Sequence, residues 1–167
     1  MAVNIPNDIT KMDRDEFLTF LDTTPSADNP TFKVLGIGVT DYGISYNPQV
    51  DSEKWIIEKN ARNIHRSNQK QGSVSQTIYK NDPCFEFVKN ARDKTNYKTQ
   101  ILDIDLFDGT GSTYPATLSD GMIAITQFMN EDAVIEYDLY YNGDSVNGTV
   151  TFDADGVPTF VATSTSL

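Results

Sequence analysis

The sequence predicts a mainly β protein: a β-sandwich or partly closed barrel with one flanking α-helix and a long extended hairpin. Three observations carry this. Short segments alternate apolar and polar residues with the two-residue period of a strand, and turn dipeptides such as Asn142-Gly143 and Asp155-Gly156 separate them. One segment only, at about 83–93, carries a well-formed helical stripe. The chain of 167 residues, 38% hydrophobic and 11% aromatic, is long enough to bury a core as a single domain, 1–167, with no internal repeat.

Taken in order, residues 1–30 read as an irregular N-terminal arm. A turn or two of helix is expected over 13–22, where Phe17, Leu18 and Leu21 share a face, followed by the turn-rich TTPSADNP of 23–30. Strands are expected at 32–39 and 40–47, the second with Tyr42, Ile44 and Tyr46 on one side. Residues 47–51 read as a turn and 54–59 as a resumed strand. The polar, basic stretch 60–75 is flanked by the apolar segments 55–58 and 74–79, and reads as the tip of a long hairpin.

Asp82-Pro83 is the strongest local signal. An aspartate at the N-cap accepts an orphan helix N–H, and a proline at the first helical position needs no donor. Cys84, Phe87, Val88 and Ala91 then form one apolar stripe, and Lys89, Arg92 and Lys94 complement the dipole at the last turns. Strands return at 100–107, with Leu102, Ile104 and Leu106 on one face, at 121–129, and at 133–141, with Ile135, Tyr137, Leu139 and Tyr141 aligned. Asn142-Gly143 suits a type I′ turn into 145–152, and Asp155-Gly156 turns the chain into 157–161.

The catalytic candidates each have a plainer reading. Cys84 lies on the helix's apolar stripe and reads as a core residue, with no base near it in sequence. His65, the only histidine, sits in a polar surface tract, and one histidine with one cysteine excludes the usual zinc patterns. Asp103 and Asp105 share a strand face, about 6.6–6.8 Å apart, a spacing that suits a solvated acidic face better than a pair of glycosidase carboxylates. DIDLFDG (103–109) fails the calcium-loop pattern, since its Asp-Gly is one residue late and Tyr114 stands where the bidentate glutamate belongs. GTGS (109–112) lacks the lysine of a phosphate loop. No catalytic residue, metal site or cofactor is therefore expected. The first residues hold no long apolar run, so neither a signal peptide nor a membrane span is expected, and the reading is a soluble cytoplasmic product.

Charge is segregated. Net charge is −5 over residues 1–60, +5 over 61–98 and −11 over 99–167, where no Lys or Arg occurs. One copy's basic segment can thus meet another copy's acidic segment, while the overall −11 opposes stable binding of nucleic acid.

The run GVTDYGISYNPQVDSEKWIIEKNA (38–61), followed by VSQTIYKNDPCFEFV (74–88), resembles the tail tube (major tail) proteins of long-tailed bacteriophages. MDRDEFLTFLDTT (12–24) is similar to that family's N-terminal arm, and NGTVTFDADGVPTF (147–160) to its closing hairpin. The resemblance implies subunits that close into hexameric rings, and rings that stack into a hollow conduit for the phage genome. It maps a wall-forming hairpin to 48–79, with Trp55, Ile57, Asn60, Arg62, His65, Arg66, Lys70, Val74, Gln76 and Ile78 as candidate inter-subunit or lumen residues. Contacts between rings fall to the arm and the 108–120 loop, with Phe17, Leu18, Leu21, Asp103, Asp105 and Asp108 as candidates. Implied partners are further copies of the chain and tape-measure, terminator and distal tail proteins. DNA passes through without specific binding, and no membrane takes part. The implied location is the virion tail, after assembly in the host cytoplasm. Bare cations at Arg62, His65, Arg66 and Lys70 would retain DNA, so the expectation is that a neighbour's carboxylates neutralise them or that they point away from the channel.

Two other classes remain open on sequence. A carbohydrate-binding or adhesin module would use exposed aromatics, for which Tyr114, Tyr140 and Tyr141 are candidates. An enzyme is the third.

Overall fold

The computed structural model describes residues 11–163. After a 3-10 turn at Arg14–Glu16 come β1 (Phe17–Asp22), β2 (Phe32–Val34), β3 (Val39–Ser45), β4 (Pro48–Glu53), β5 (Arg62–Asn68) and β6 (Gln71–Thr77). The helix α1 (Pro83–Lys89) precedes β7 (Tyr97–Asp105), β8 (Thr113–Met129), β9 (Val134–Phe152) and β10 (Pro158–Ala162). One antiparallel sheet runs β2-β1-β7-β8-β9-β6-β3, with β10 also on β9. It curls into a half-barrel, so of the two expected architectures the partly closed barrel describes the chain. The curl brings Tyr42 of β3 to Thr19 of β1, with 3.4 Å between the hydroxyls.

Apolar residues pack on both faces of this sheet. On the inner face Leu21, Val74, Ile101, Ile123, Ile135, Tyr137 and Leu139 enclose α1 through Cys84, Phe87, Val88 and Ala91. On the other, Phe20, Phe32, Leu102, Ile104, Ala116 and Val150 form a second core. The helix begins as its sequence predicts: the Asp82 carboxylate accepts from the Cys84 N–H at 3.0 Å, with Pro83 at the first position. Its α-helical part stops at Lys89. The bonds from Asn90, Ala91, Arg92 and Lys94 reach back three residues instead of four, and Asp93 turns left-handed at φ 61°.

Several expectations are corrected. Residues 17–22 are a strand inside the sheet, not an arm or a helix; β1 is buried on both faces, and a run apolar on both sides mimics helical spacing. The part of the expected arm at 1–10 lies outside the described residues. The 32–39 strand is only β2, and the chain bends through 35–38 before β3. Asn142-Gly143 makes no hairpin. A type I′ turn needs two residues at positive φ, and only Gly143 has it, at 66°. The chain runs straight through as β9, with 143–145 bulging opposite Ser119, between the pairs Leu118–Val146 and Asp120–Asn142. The Asp155-Gly156 turn does form a hairpin, Pro158 pairing with Phe152.

Candidate assembly surface: a projecting ladder and its hinge

β3 and β6 pair within the main sheet from Val39–Gln76 to Ser45–Gln71, and the same two chain segments then leave it. Beyond the exit β4 and β5 pair only with each other, from Pro48–Asn68 to Glu53–Arg62, and residues 54–61 form the tip. The hairpin is therefore displaced from its expected arrangement. The 54–59 segment is the tip and not a strand, 47–51 belongs largely to a strand and not a turn, and 71–77 lies in the main sheet. Every residue of β4 and all of β5 except Ile64 are exposed.

The two faces of this ladder differ. Alternation places Asp51, Glu53, Arg62, Ile64 and Arg66 on one side, and Val50, Ser52, Asn63 and His65 on the other. On the first side Arg66 pairs with Asp51 at 3.1 Å and with Glu53 at 2.8 Å. Arg62 pairs with Glu58 and lies over the Trp55 ring, 4.3 Å from its centroid. On the second, Ser52 donates to Asn63 at 2.7 Å, and the His65 ring meets the Ser67 carbonyl and the Asn68 amide oxygen. Arg62 and Arg66, and Lys70 at the ladder's root, thus find carboxylates in their own chain, where a neighbour's carboxylates or an orientation away from the channel had been expected. His65 meets only a carbonyl and an amide oxygen. Among the described residues the cations without an ion-pair partner include Lys54, Lys59, Lys80, Arg92, Lys94 and Lys98.

A polar hinge holds the root of the ladder. Asn47 sits at φ 42°, its side chain donating to the Gln69 carbonyl at 3.1 Å, while the Gln69 N–H donates to the Tyr46 carbonyl at 2.9 Å. The next residue, Lys70, reaches into the barrel mouth. Its ammonium lies 3.2 Å from Asp103 and 4.0 Å from the Tyr141 ring centroid. Asp103 also accepts from Thr19 at 2.8 Å and from Tyr141 at 3.1 Å, and the Tyr42 and Tyr141 hydroxyls are 3.1 Å apart. Asp103 is thus no solvated acid: its side chain is 7% exposed and that of Lys70 17%. Asp105, half-buried at the end of β7, has its carboxyl raised by burial first and then by Asp103 and Asp108.

Burial, and after it the charge of Asp103, pushes the Tyr42 hydroxyl up to about 12 and the Tyr141 hydroxyl well above its ordinary value. From about pH 10 the unfolded chain releases its tyrosine protons while the folded chain keeps these two, so stability falls as pH rises through that window. Urea unfolding followed between about pH 8 and 11 should show this decline. The slope should be shallower in Tyr141→Phe, whatever that variant's absolute stability.

The remaining sequence candidates are dispersed. Trp55, Ile57 and Asn60 lie exposed on the tip. Val74 and Gln76 are buried in the subunit and Ile78 is half-buried. Leu21 is enclosed in the inner core, Phe17 and Leu18 are half-buried at the seam, and Asp108 is exposed. Leu21, Val74, Gln76 and Asp103 therefore have no surface to give another copy. Ile56, the most exposed apolar residue of the tip, was missed, although its place between Trp55 and Ile57 in an apolar run signalled it. Cys84 is a core residue. Burial, with the Asp82 carboxylate adding to it, raises its thiol to about 12, and burial outweighs its place at a helix start. Of the glycan-binding aromatics, Tyr141 is held in the hinge, Tyr140 points to the opposite face of β9 with its hydroxyl 3.4 Å from Asp138, and Tyr114 packs on Phe152.

No model of a known protein family matches the chain, and no curated protein does. Among solved structures the chain is similar to one from the "Cryo-EM structure of the anti-feeding prophage (AFP) baseplate, 6-fold symmetrised", at 10% identity and a TM-score of 0.49, over 83% of this chain and 96% of that one.

Proposed function

We propose that this chain is a structural protein of a phage-type tail, a tail tube subunit whose copies close into hexameric rings that stack around a channel for the genome. The observation that carries this is the β4–β5 ladder. Two strands standing off their own core, exposed on both faces and paired with no third strand, are marginal in water alone. Such edges invite pairing, and identical copies around an axis satisfy every edge with the next copy's edge. The likeness of segments 38–61 and 74–88 to tail tube proteins supports the same reading.

In this role the chain is scaffolding and not a catalyst, and it uses no cofactor. Its partners are its own copies and the tape-measure, terminator and distal tail proteins, in the virion tail after assembly in the host cytoplasm. DNA slides through without specific contact. The self-paired arginines, and a second face of Val50, Ser52, Asn63 and His65 that carries no Lys or Arg, leave little bare cation on the strands of the ladder to hold phosphate.

Negative-stain electron microscopy and light scattering on concentrated protein test the proposal. Rings or hollow tubes are expected; a persistent monomer that binds glycans would replace it with the adhesin class. Moderate salt is expected to separate stacked rings before it opens them, because ring closure uses backbone pairing and stacking uses charge. Equal salt sensitivity of the two contacts would remove the electrostatic account of stacking.

A further inference from the structure

Two surfaces of the chain match each other. One is the ladder tip, where Trp55, Ile56 and Ile57 are consecutive and the two isoleucines are 104% and 86% exposed. The other is a cleft of about 550 Å³ at the seam between β1 and β3, walled by Phe17, Leu18, Leu35, Val39 and Tyr42, with Arg14 and Asp15 also lining it. This is within the roughly 300–1,000 Å³ of clefts that enclose a compact apolar ligand. β2 pairs only with Phe20–Asp22 of β1, so no strand covers Phe17 and Leu18 on that side.

We propose that the tip of one copy seats Trp55–Ile57 in the seam cleft of a neighbouring copy, a contact that rests on the self-assembly proposed above. A chain's own tip does not serve. Val39 and Tyr42 line the cleft, the ladder departs beyond Ser45, and six residues of β4 carry the tip about 20 Å further off. Charge favours the match. Lys54 and Lys59 flank the tip without ion-pair partners among the described residues, and neither Asp15 in the cleft nor Asp41, next to Tyr42, has one. Arg14, whose guanidinium lies 3.3 and 3.5 Å from the Val39 and Thr40 carbonyls, offsets one of these two acids and leaves the cleft's rim with an acid in excess. Each copy gives a tip and offers a cleft. That is a heterologous contact, which closes into a ring or runs on as a filament.

Two variants, each with one added cysteine, test the seat. Ile56→Cys places a thiol on the tip and Gly36→Cys one in the cleft lining, where a Cβ meets only the Val34 methyl at 3.7 Å. The native Cys84 is buried and takes no part. When the two variants are mixed and oxidised under conditions in which the wild type assembles, the mixed 36–56 disulfide is expected to predominate over 56–56. Independently, Ile56→Asp combined with Ile57→Asp should raise the concentration needed for assembly by about 100-fold or more, the loss of two buried isoleucines. The melting point of the monomer should stay unchanged. Mixed cysteine variants that yield only 56–56 links, or none, under conditions in which the wild type forms tubes would overturn the tip-in-cleft contact while leaving the tube subunit standing. A wild type that never assembles would overturn both.

Discussion

Replacing Asp103 by alanine is expected to cost about 3–5 kcal/mol of folding stability, the penalty for stripping one partner from a buried ion pair. The size comes from what is left behind. Lys70 keeps its charge with 17% of its side chain exposed, and the Thr19 and Tyr141 hydroxyls lose the acceptor they share. The pair is not thereby better than apolar residues of the same volume; the cost belongs to breaking it one-sidedly. Lys70→Met should cost less, because methionine fills the volume of the lysine stem and Asp103 keeps its two hydroxyl donors. A urea midpoint lowered at unchanged slope would report the loss. Because Lys70 follows directly on the ladder's exit from the sheet, backbone amides of β4 and β5 should also exchange faster in Asp103→Ala than in a core variant of equal stability. Equal midpoints for Asp103→Ala and wild type would show that water, and not the protein, solvates this lysine.

That network explains which parts of the fold the sequence could disclose. β7 was legible in its outer-core residues Leu102 and Ile104, because a period of two survives wherever one face is apolar. The same strand is buried on its other face too, so Asp103 read as solvated although it lies among hydroxyls and an ammonium. β1 failed for the same reason: Phe20 feeds one core and Leu21 the other, and the result passes for a helical stripe. β4 failed for the opposite reason. A strand exposed on both faces has no apolar period to read, and proline followed by polar residues passes for a turn. The helix start was legible because its cause is local, one carboxylate and one N–H two residues apart.

The candidate surface divides along the same line. The basic residues of the hairpin stood out in the sequence, and their partners did not, because Asp51 and Glu53 lie 15 and 13 residues from Arg66, and Asp103 lies 33 from Lys70. The expectation from sequence was that a neighbour's carboxylates neutralise the hairpin's bases or that those bases point away from the channel. With Arg62, Arg66, Lys70 and Lys89 paired internally, the bases without an ion-pair partner among the described residues include Lys54 and Lys59 at the ladder tip, Lys80 ahead of α1, and Arg92, Lys94 and Lys98 beyond it. In the proposed assembly this puts the charged contact between copies off the ladder's flat faces and leaves those strands free for backbone pairing.

The second large effect is expected at Gln76, which is fully buried on β6. Its amide donates to the Ile37 carbonyl and to Asp82, each at 2.8 Å, and its oxygen accepts from the Tyr137 hydroxyl at 3.1 Å. One side chain thus ties the loop before β3, the cap of α1 and the centre of β9 to β6. Gln76→Leu keeps much of the volume but leaves a carbonyl, a carboxylate oxygen and a hydroxyl without partners, at about 1–3 kcal/mol for each buried group, so a loss of about 3 kcal/mol or more is expected. Tyr137→Phe, which removes one donor, should cost about 1 kcal/mol by comparison. Gln76→Glu separates charge from shape. Its carboxylate would face Asp82 at hydrogen-bonding distance, and two carboxylates so close share a proton, which raises one of them in the folded chain. The folded chain then holds a proton that the unfolded chain gives up above about pH 4, so the deficit against wild type should be small in acid and grow toward neutral pH. A deficit independent of pH would mean that shape alone decides at this position. If all three variants matched the wild type, the polar tie between helix cap and sheet would contribute nothing to holding α1 in the half-barrel.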